Sequence, residues 1–293
     1  MIRNRFFYFF SILIFGTVLS ILTVNTNVQV QFPTTLSPAF QLLGKPIKTL
    51  DRSLTKIIPI DDLDEKKLGD SIALRYESYA DKKDPDLIYL ENLVSHLTKN
   101  KHKKFNYRVF LMNSEIPNAY AMPGGVLFVT KGLLNILDSE SQLVAILGHE
   151  IGHVELSHCM DGVRGELFAK KIKMESFGVL ADITTSILLR PSFSKNQEDE
   201  ADGFGFDILI REKYDPYAMG QTFLKLKKSE GGIENKNSAF HEYFMTHPYL
   251  SHRFEKYTEL AKLKPVFQSY IGKRNFQNKI TRYETEYEAE YIF

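Results

Sequence analysis

The chain has 293 residues, 43% of them hydrophobic, which is enough to bury a sizeable core and is sized for one domain with decorations. Thirty-seven basic residues against 36 acidic ones leave a formal net charge of +1, and no basic run is interleaved with aromatics, so nucleic acid is excluded as a partner. A single cysteine, Cys159, excludes an intrachain disulfide, and compartment must be read from the N-terminus.

Arg3 and Arg5 precede an uncharged run from Phe6 to Val24, long enough to span a bilayer. "VLSILTVNTN" offers no good small-x-small cleavage site, so residues 1–25 read as an uncleaved membrane anchor, with a cleaved signal segment as the alternative. Either way the arginines stay cytoplasmic and the rest of the chain is exported. Residues 26–62, with prolines 33, 38, 46 and 59, read as a linker.

Leu68, Ile72, Leu74, Tyr76 and Tyr79 suggest a helix from Asp64 to Tyr79, and a second runs from Pro85 to Leu97 after the "KKDPD" break. "FNYRVFLMN", 105–113, alternates like a strand, and "VLFVT", 126–130, is another after the "PGG" turn. Ser139 and Gln142 form a capping-box pattern that opens a helix over 139–159, and Ser194 with Gln197 opens another ending near Arg211. Asp215 and Pro216 start a third, closed by Gly231 and Gly232, and a last helix follows "THPYLS". Tyrosines 283, 287 and 291, one helical turn apart, read as a solvated or packed helix face in a C-terminal tail, 266–293.

The helix over 139–159 carries "HEIGH". Residues four apart share a helix face, so His149 and His153 can offer nitrogens to one ion, while Glu150, one step round, can take a proton from a water that the ion has acidified. A third ligand is required. The metzincin pattern would put glycine and histidine where this chain has Leu156 and Cys159, and is excluded. His158 lies about 140° round the helix from His153 and reads as a hydrogen-bonded packing or surface histidine. Glu198, on the next helix, completes a two-histidine, one-glutamate set; the competing reading is a solvated acidic helix start. Asp202, one turn along, could accept the ring N–H of a ligand histidine, and Ala201 with Gly205 would let the two helices approach closely.

"NAYAMPGG" at 118–125, "GLLNIL", "HEIGH", "EDEAD" at 198–202 and "THP" at 246–248 with Arg253 beyond it form an ordered set over about two-thirds of the chain. In this set the chain resembles the zinc metallopeptidase family of the CAAX prenyl endopeptidases, in the layout of its single-domain exported members. The resemblance implies an α+β, mostly α, zincin-like (gluzincin) domain with a small β-sheet over 63–265. It implies one Zn2+ per chain on His149, His153 and Glu198, with Glu150 as general base. His247 matches a family histidine that caps the metal at rest or contacts the substrate oxyanion, and Pro248 would hold it extended. Arg253 braces that loop. Asn118, Ala119, Tyr120, Ala121 and Met122 resemble a substrate-lining edge strand to which an unfolded peptide could pair; Gly124 and Gly125 make a tight turn or take part in that role. The implied activity is endoproteolysis of unfolded or misfolded protein segments, in quality control of membrane or envelope proteins outside the cytoplasm. A chaperone-like or scaffolding protein with a histidine-capped, rarely active site is the rival. Oligomeric state is not legible.

Overall fold

The run Val126–Thr130 is apolar for four of its five residues and buried at all five, because it is the central strand of a sheet covered on both faces. This strand, β3, pairs in parallel with β1 (Arg108–Met112) and antiparallel with β2 (Ala119–Met122), giving the order β1-β3-β2. Side chains alternate across the sheet. Val109, Ala119, Ala121, Leu127 and Val129 join the main helical core, whereas Phe110, Met122, Val126 and Phe128 pack with Leu68 and Ile72 of α1 (Asp62–Tyr76). The computed structural model describes residues 61–99, 101–161, 163, 193–230, 247, 250–264 and 268–292. The apolar run 6–24, the linker up to residue 60, the short apolar stretch near Asp182, Gly231, Gly232, Thr246 and Pro248 lie outside them. Among the described residues, no helix is long and apolar enough to cross a membrane.

Helix α1 is shorter than its apolar spacing predicts: a 3-10 turn covers Glu77–Tyr79, and Leu74 and Tyr79 are exposed, while Leu68, Ile72 and Ala73 are buried and Tyr76 packs on Phe128. Helix α2 (Pro85–Thr98) begins as expected, with Asp84 accepting from the Asp86 N–H and proline in the first turn. The turn between β2 and β3 places Gly124 at φ +72° and Gly125 at φ +82°, a left-handed pair that a side chain would strain. After β3, Thr130 caps the short α3 (Lys131–Ile136).

Helix α4 (Glu140–Glu155) is buried from Glu140 to Val154 and carries the histidine pair through the middle of the molecule. Ser139 caps it by accepting from the Gln142 N–H, but the reciprocal bond of the expected capping box goes to a neighbour, with Gln142 Oε1 accepting from the Asp138 N–H. The helix also stops at Glu155 instead of 159. The Leu156 and Ser157 N–H groups bond back to Gly152 and Val154, Ser157 adopts φ +61°, and a separate turn, α5 (His158–Asp161), follows.

Helix α6 (Lys195–Arg211) has the full capping box, Ser194 with Gln197. It crosses α4 through small residues: a Cβ on Gly205 would lie 2.8 Å from the His149 backbone nitrogen, and one on Gly152 3.1 Å from Ala201 Cα. Helices α7 (Tyr217–Glu230) and α8 (Leu250–Leu263) pack against each other behind this pair, with Asp215 accepting from the Tyr217 N–H ahead of α7.

Residues 268–292 pack on the same core. Strands β4 (Ser269–Tyr270) and β5 (Tyr291–Ile292) pair antiparallel around the short α9 (Lys273–Asn278), and Tyr270, Phe276, Tyr283 and Tyr291 join the main cluster. The helix face expected of tyrosines 283, 287 and 291 does not form, because Tyr283 falls on a turn, Tyr287 on irregular chain and Tyr291 on a strand. Buried Glu140 at the start of α4 explains the docking. Its carboxylate accepts from Tyr89 Oη at 2.9 Å, Tyr214 Oη at 2.7 Å and the Arg282 N–H at 3.0 Å, so the end of the chain helps to hold the start of the histidine helix. Burial pushes the Glu140 carboxyl above its ordinary range, against the pull of those hydrogen bonds.

Candidate metal centre

The i, i+4 spacing on α4 brings His149 Nε2 to 3.1 Å from His153 Nε2. From α6, Glu198 lies 3.7 Å from His149 Nε2 and 3.5 Å from His153 Nε2 through its two oxygens. His247 Nδ1 lies 3.2 Å from His149 Nε2 and 3.2 Å from Glu198 Oε1. These four residues are buried, and one ligand atom from each falls within 4.8 Å of the others. Zinc bonds of about 2.0–2.1 Å in a tetrahedron imply ligand-to-ligand edges of about 3.3–3.4 Å, so the donor set fits such an ion in both spacing and chemistry. The expected trio converges, and His247 stands at the fourth corner.

Glu150 sits one step round α4, fully buried, and neither of its carboxylate oxygens has a hydrogen-bond partner among the described residues. His247 Nε2 is 3.6 Å from Glu150 Oε1. Burial pushes the Glu150 carboxyl above its ordinary range, opposed by the charges of His247 and His149. A desolvated carboxylate with no hydrogen-bond partner among the described residues is suited to receiving a proton. Burial also holds His153 well below the ordinary imidazole range, which favours the neutral, metal-ligating form.

Asp202 shares the face of Glu198, and its Oδ1 lies 2.8 Å from His149 Nδ1. Arg253 clamps the same carboxylate through Nε to Oδ2 at 2.8 Å and Nη2 to Oδ1 at 2.6 Å, and reaches Glu198 Oε2 through Nη1 at 2.9 Å. Its guanidinium lies 4.3 Å from the Phe223 ring centroid. Burial alone would raise both acids. For Glu198 the charges of His247 and Arg253 prevail and hold it well below the carboxylate range; for Asp202 the Arg253 charge and the His149 hydrogen bond lower it. Arg253 thus bonds to both Asp202 and Glu198 of α6, and the loop residues on either side of His247 that it was expected to brace lie outside the described residues.

The segment Asn118–Met122 is at the sheet edge, as β2 pairs only with β3 among the described residues. Thr130 donates to Asn118 O, so by strand alternation residues 119 and 121 turn their backbone groups outward. Asn118, Ala119, Ala121 and Met122 are buried, only Tyr120 is partly exposed, and Cys159 Sγ donates to Ala121 O at 3.4 Å. One neighbour of the site gave little sign in the sequence, and another, His158, is buried and hydrogen-bonded as its packing reading expected. Phe193 stacks on His153, with ring centroids 3.7 Å apart and planes 18° apart, yet sits in no periodic pattern. His158 places Nδ1 3.0 Å from His153 Nδ1.

Two histidines of α4, a glutamate of α6 and a buried carboxylate beside them make a candidate metal centre with an adjacent candidate base. Residues 88–261 match Peptidase family M48. That is more than half of the chain, and the chain belongs to this family, in agreement with the resemblance carried by its motifs. Among similar proteins, mitochondrial metalloendopeptidase OMA1 of Arabidopsis thaliana is 29% identical over 158 residues, 53% of this chain and 31% of the relative. Metalloprotease LoiP of Escherichia coli (strain K12) is 29% identical over 140 residues, 44% of this chain and 54% of the relative. The beta-barrel assembly-enhancing protease of the same organism is 30% identical over 175 residues, 53% of this chain and 34% of the relative. The chain therefore spans about a third to a half of the length of these relatives.

Proposed function

We propose that the chain is a zinc metalloendopeptidase of the gluzincin arrangement, hydrolysing peptide bonds in unfolded or misfolded proteins, with His149, His153 and Glu198 holding one zinc ion. The observation that carries the reading is the convergence of those three donors beside the unpinned carboxylate of Glu150. When bound, the zinc supplies Lewis-acid polarisation and acidifies water. Glu150 takes the proton of the attacking water and passes it to the leaving amine. Asp202 holds His149 with its Nδ1–H inward, leaving Nε2 as the donor, and Arg253 holds Asp202. The β2 edge would pair with an extended substrate backbone through residues 119 and 121 once uncovered, a mode that selects unfolded segments.

A relative named as a beta-barrel assembly-enhancing protease supports a role in quality control of membrane or envelope proteins, and the uncharged run after Arg3 and Arg5 supports residues 1–25 as an anchor with the catalytic domain outside the cytoplasm. The chaperone-like alternative gains from one observation: His247 Nδ1 stands at the fourth corner, which a nucleophilic water needs. Glu150→Gln separates the two readings on an unfolded protein substrate. Catalysis predicts a loss of about 10²- to 10⁴-fold in turnover with zinc retained; equal disappearance of substrate with both proteins refutes it.

A further inference from the structure

The two histidines of the HEIGH motif are not supported alike. His149 has a carboxylate directly on Nδ1, from Asp202. His153 has another imidazole there: His158 Nδ1 at 3.0 Å, while His158 Nε2 lies 3.0 Å from Glu200 Oε2. We propose that His158, oriented by Glu200, is a positioning residue that fixes the proton on His153 Nδ1 and so presents His153 Nε2 to the metal. This rests on the reading of His149, His153 and Glu198 as the ligand set.

The assignment follows from counting protons along the chain of contacts. A neutral imidazole carries one N–H, and a nitrogen that binds a metal has none. With Nε2 of His153 as the ligand atom, its proton is on Nδ1 and points at His158 Nδ1. Two N–H groups cannot face each other at 3.0 Å, so His158 Nδ1 is bare and accepts. The proton of His158 is then on Nε2, where Glu200 accepts it. Every member is neutral except the terminal carboxylate, and each contact has one donor and one acceptor. A single tautomer of each ring satisfies the whole row.

The backbone is shaped to make this contact. Had α4 continued, His158 would point about 140° away from His153. Instead the helix ends at Glu155, Ser157 takes φ +61°, a conformation that costs a non-glycine residue energy, and the chain turns so that His158 returns against His153, buried. The partner helix holds the far side, with Gln197 Nε2 donating to Asp161 Oδ2 at 2.8 Å and Glu200 placed between Glu198 and Asp202 in sequence. One helix thus supplies a ligand and the outer acceptors of both ligand histidines.

The test uses the full chain. Zinc affinity is measured by chelator competition for wild type, His158→Phe, His158→Gln and Glu200→Ala, with circular dichroism to establish folding. His158→Phe keeps the ring volume without an acceptor and should lose about tenfold or more in zinc affinity, within the range of 10–100-fold for loss of such a partner. His158→Gln restores an acceptor and should recover most of that loss, and Glu200→Ala should fall between. Independently, 15N-histidine NMR of the zinc-loaded wild type should show the His153 Nδ1 proton coupled across to His158 Nδ1. A folded His158→Phe protein with wild-type zinc affinity, or an NMR signal placing no proton between those nitrogens, overturns the proposal. If His158→Phe does not fold, the NMR result decides. Failure of the wild type to bind zinc at all would instead overturn the metal-site reading.

Discussion

Substituting Gly205 by alanine probes whether helix approach sets the metal site. The added Cβ would meet the His149 backbone nitrogen at 2.8 Å, Gly148 C at 3.1 Å and Ala145 O at 3.2 Å. These are backbone atoms of α4, so no side chain can swing aside, and α6 must move by several tenths of an ångström. Such overpacking costs about 1–3 kcal/mol, partly offset by about 1 kcal/mol of helix propensity gained over glycine. Gly203 lies on the same helix, with only Tyr257 Oη 4.0 Å from its notional Cβ. Gly203→Ala therefore isolates the propensity gain. In a domain of this size 1 kcal/mol moves Tm by about 2–4 °C, so Gly203→Ala should raise the melting temperature of the metal-free protein by a few degrees and Gly205→Ala should lower it by a similar amount. Because the displaced helix carries Glu198, Gly205→Ala should also weaken zinc binding while Gly203→Ala does not. Calorimetry on metal-free protein, with chelator competition for zinc, reads both effects. Equal melting temperatures and equal zinc affinities for the two variants would refute the idea that this close crossing builds the site.

Asp202→Asn should weaken zinc binding by about 10–100-fold, measured by chelator competition, since His149 loses its anionic acceptor. The native Asp202 carboxyl is held below its ordinary 3.8, so the unfolded chain binds the proton first as pH falls. Its stabilising contribution is complete above 3.8 and is lost as pH drops through the lower native value, and acid titration of metal-free Asp202→Asn should be flatter in that window. His247→Ala removes the nitrogen at the fourth corner while three ligands remain, so zinc should be retained and the initial rate on an unfolded substrate should rise; a rate as low as that of Glu150→Gln would place His247 in the reaction instead. Glu140→Ala leaves two buried tyrosine hydroxyls and the Arg282 N–H without their acceptor, at a total cost of about 3 kcal/mol or more, read as a loss of about 6–12 °C in Tm.

Local chemistry made part of this molecule legible in one dimension. The Ser194 capping box, the proline start of α2 and the apolar run of β3 report their own backbone state, because the interactions that produce them span only a few residues. The i, i+4 spacings in HEIGH and EDEAD likewise place His149 with His153, and Glu198 with Asp202, on single helix faces. Other features depended on partners distant in sequence. The proper end of α4 could not be read because Ser157 accepts a left-handed backbone that no glycine announces, and the spacing from His153 to His158 then suggests separation where the turn produces contact. The tyrosine spacing in 283–291 imitates a helix, but pairing of β4 with β5 and the pull of Glu140 draw that segment into turns and a strand. Sequence periodicity records which face of an element is apolar; it holds no record of what a buried carboxylate or imidazole meets across the core, since that is decided only when burial removes water as an alternative partner.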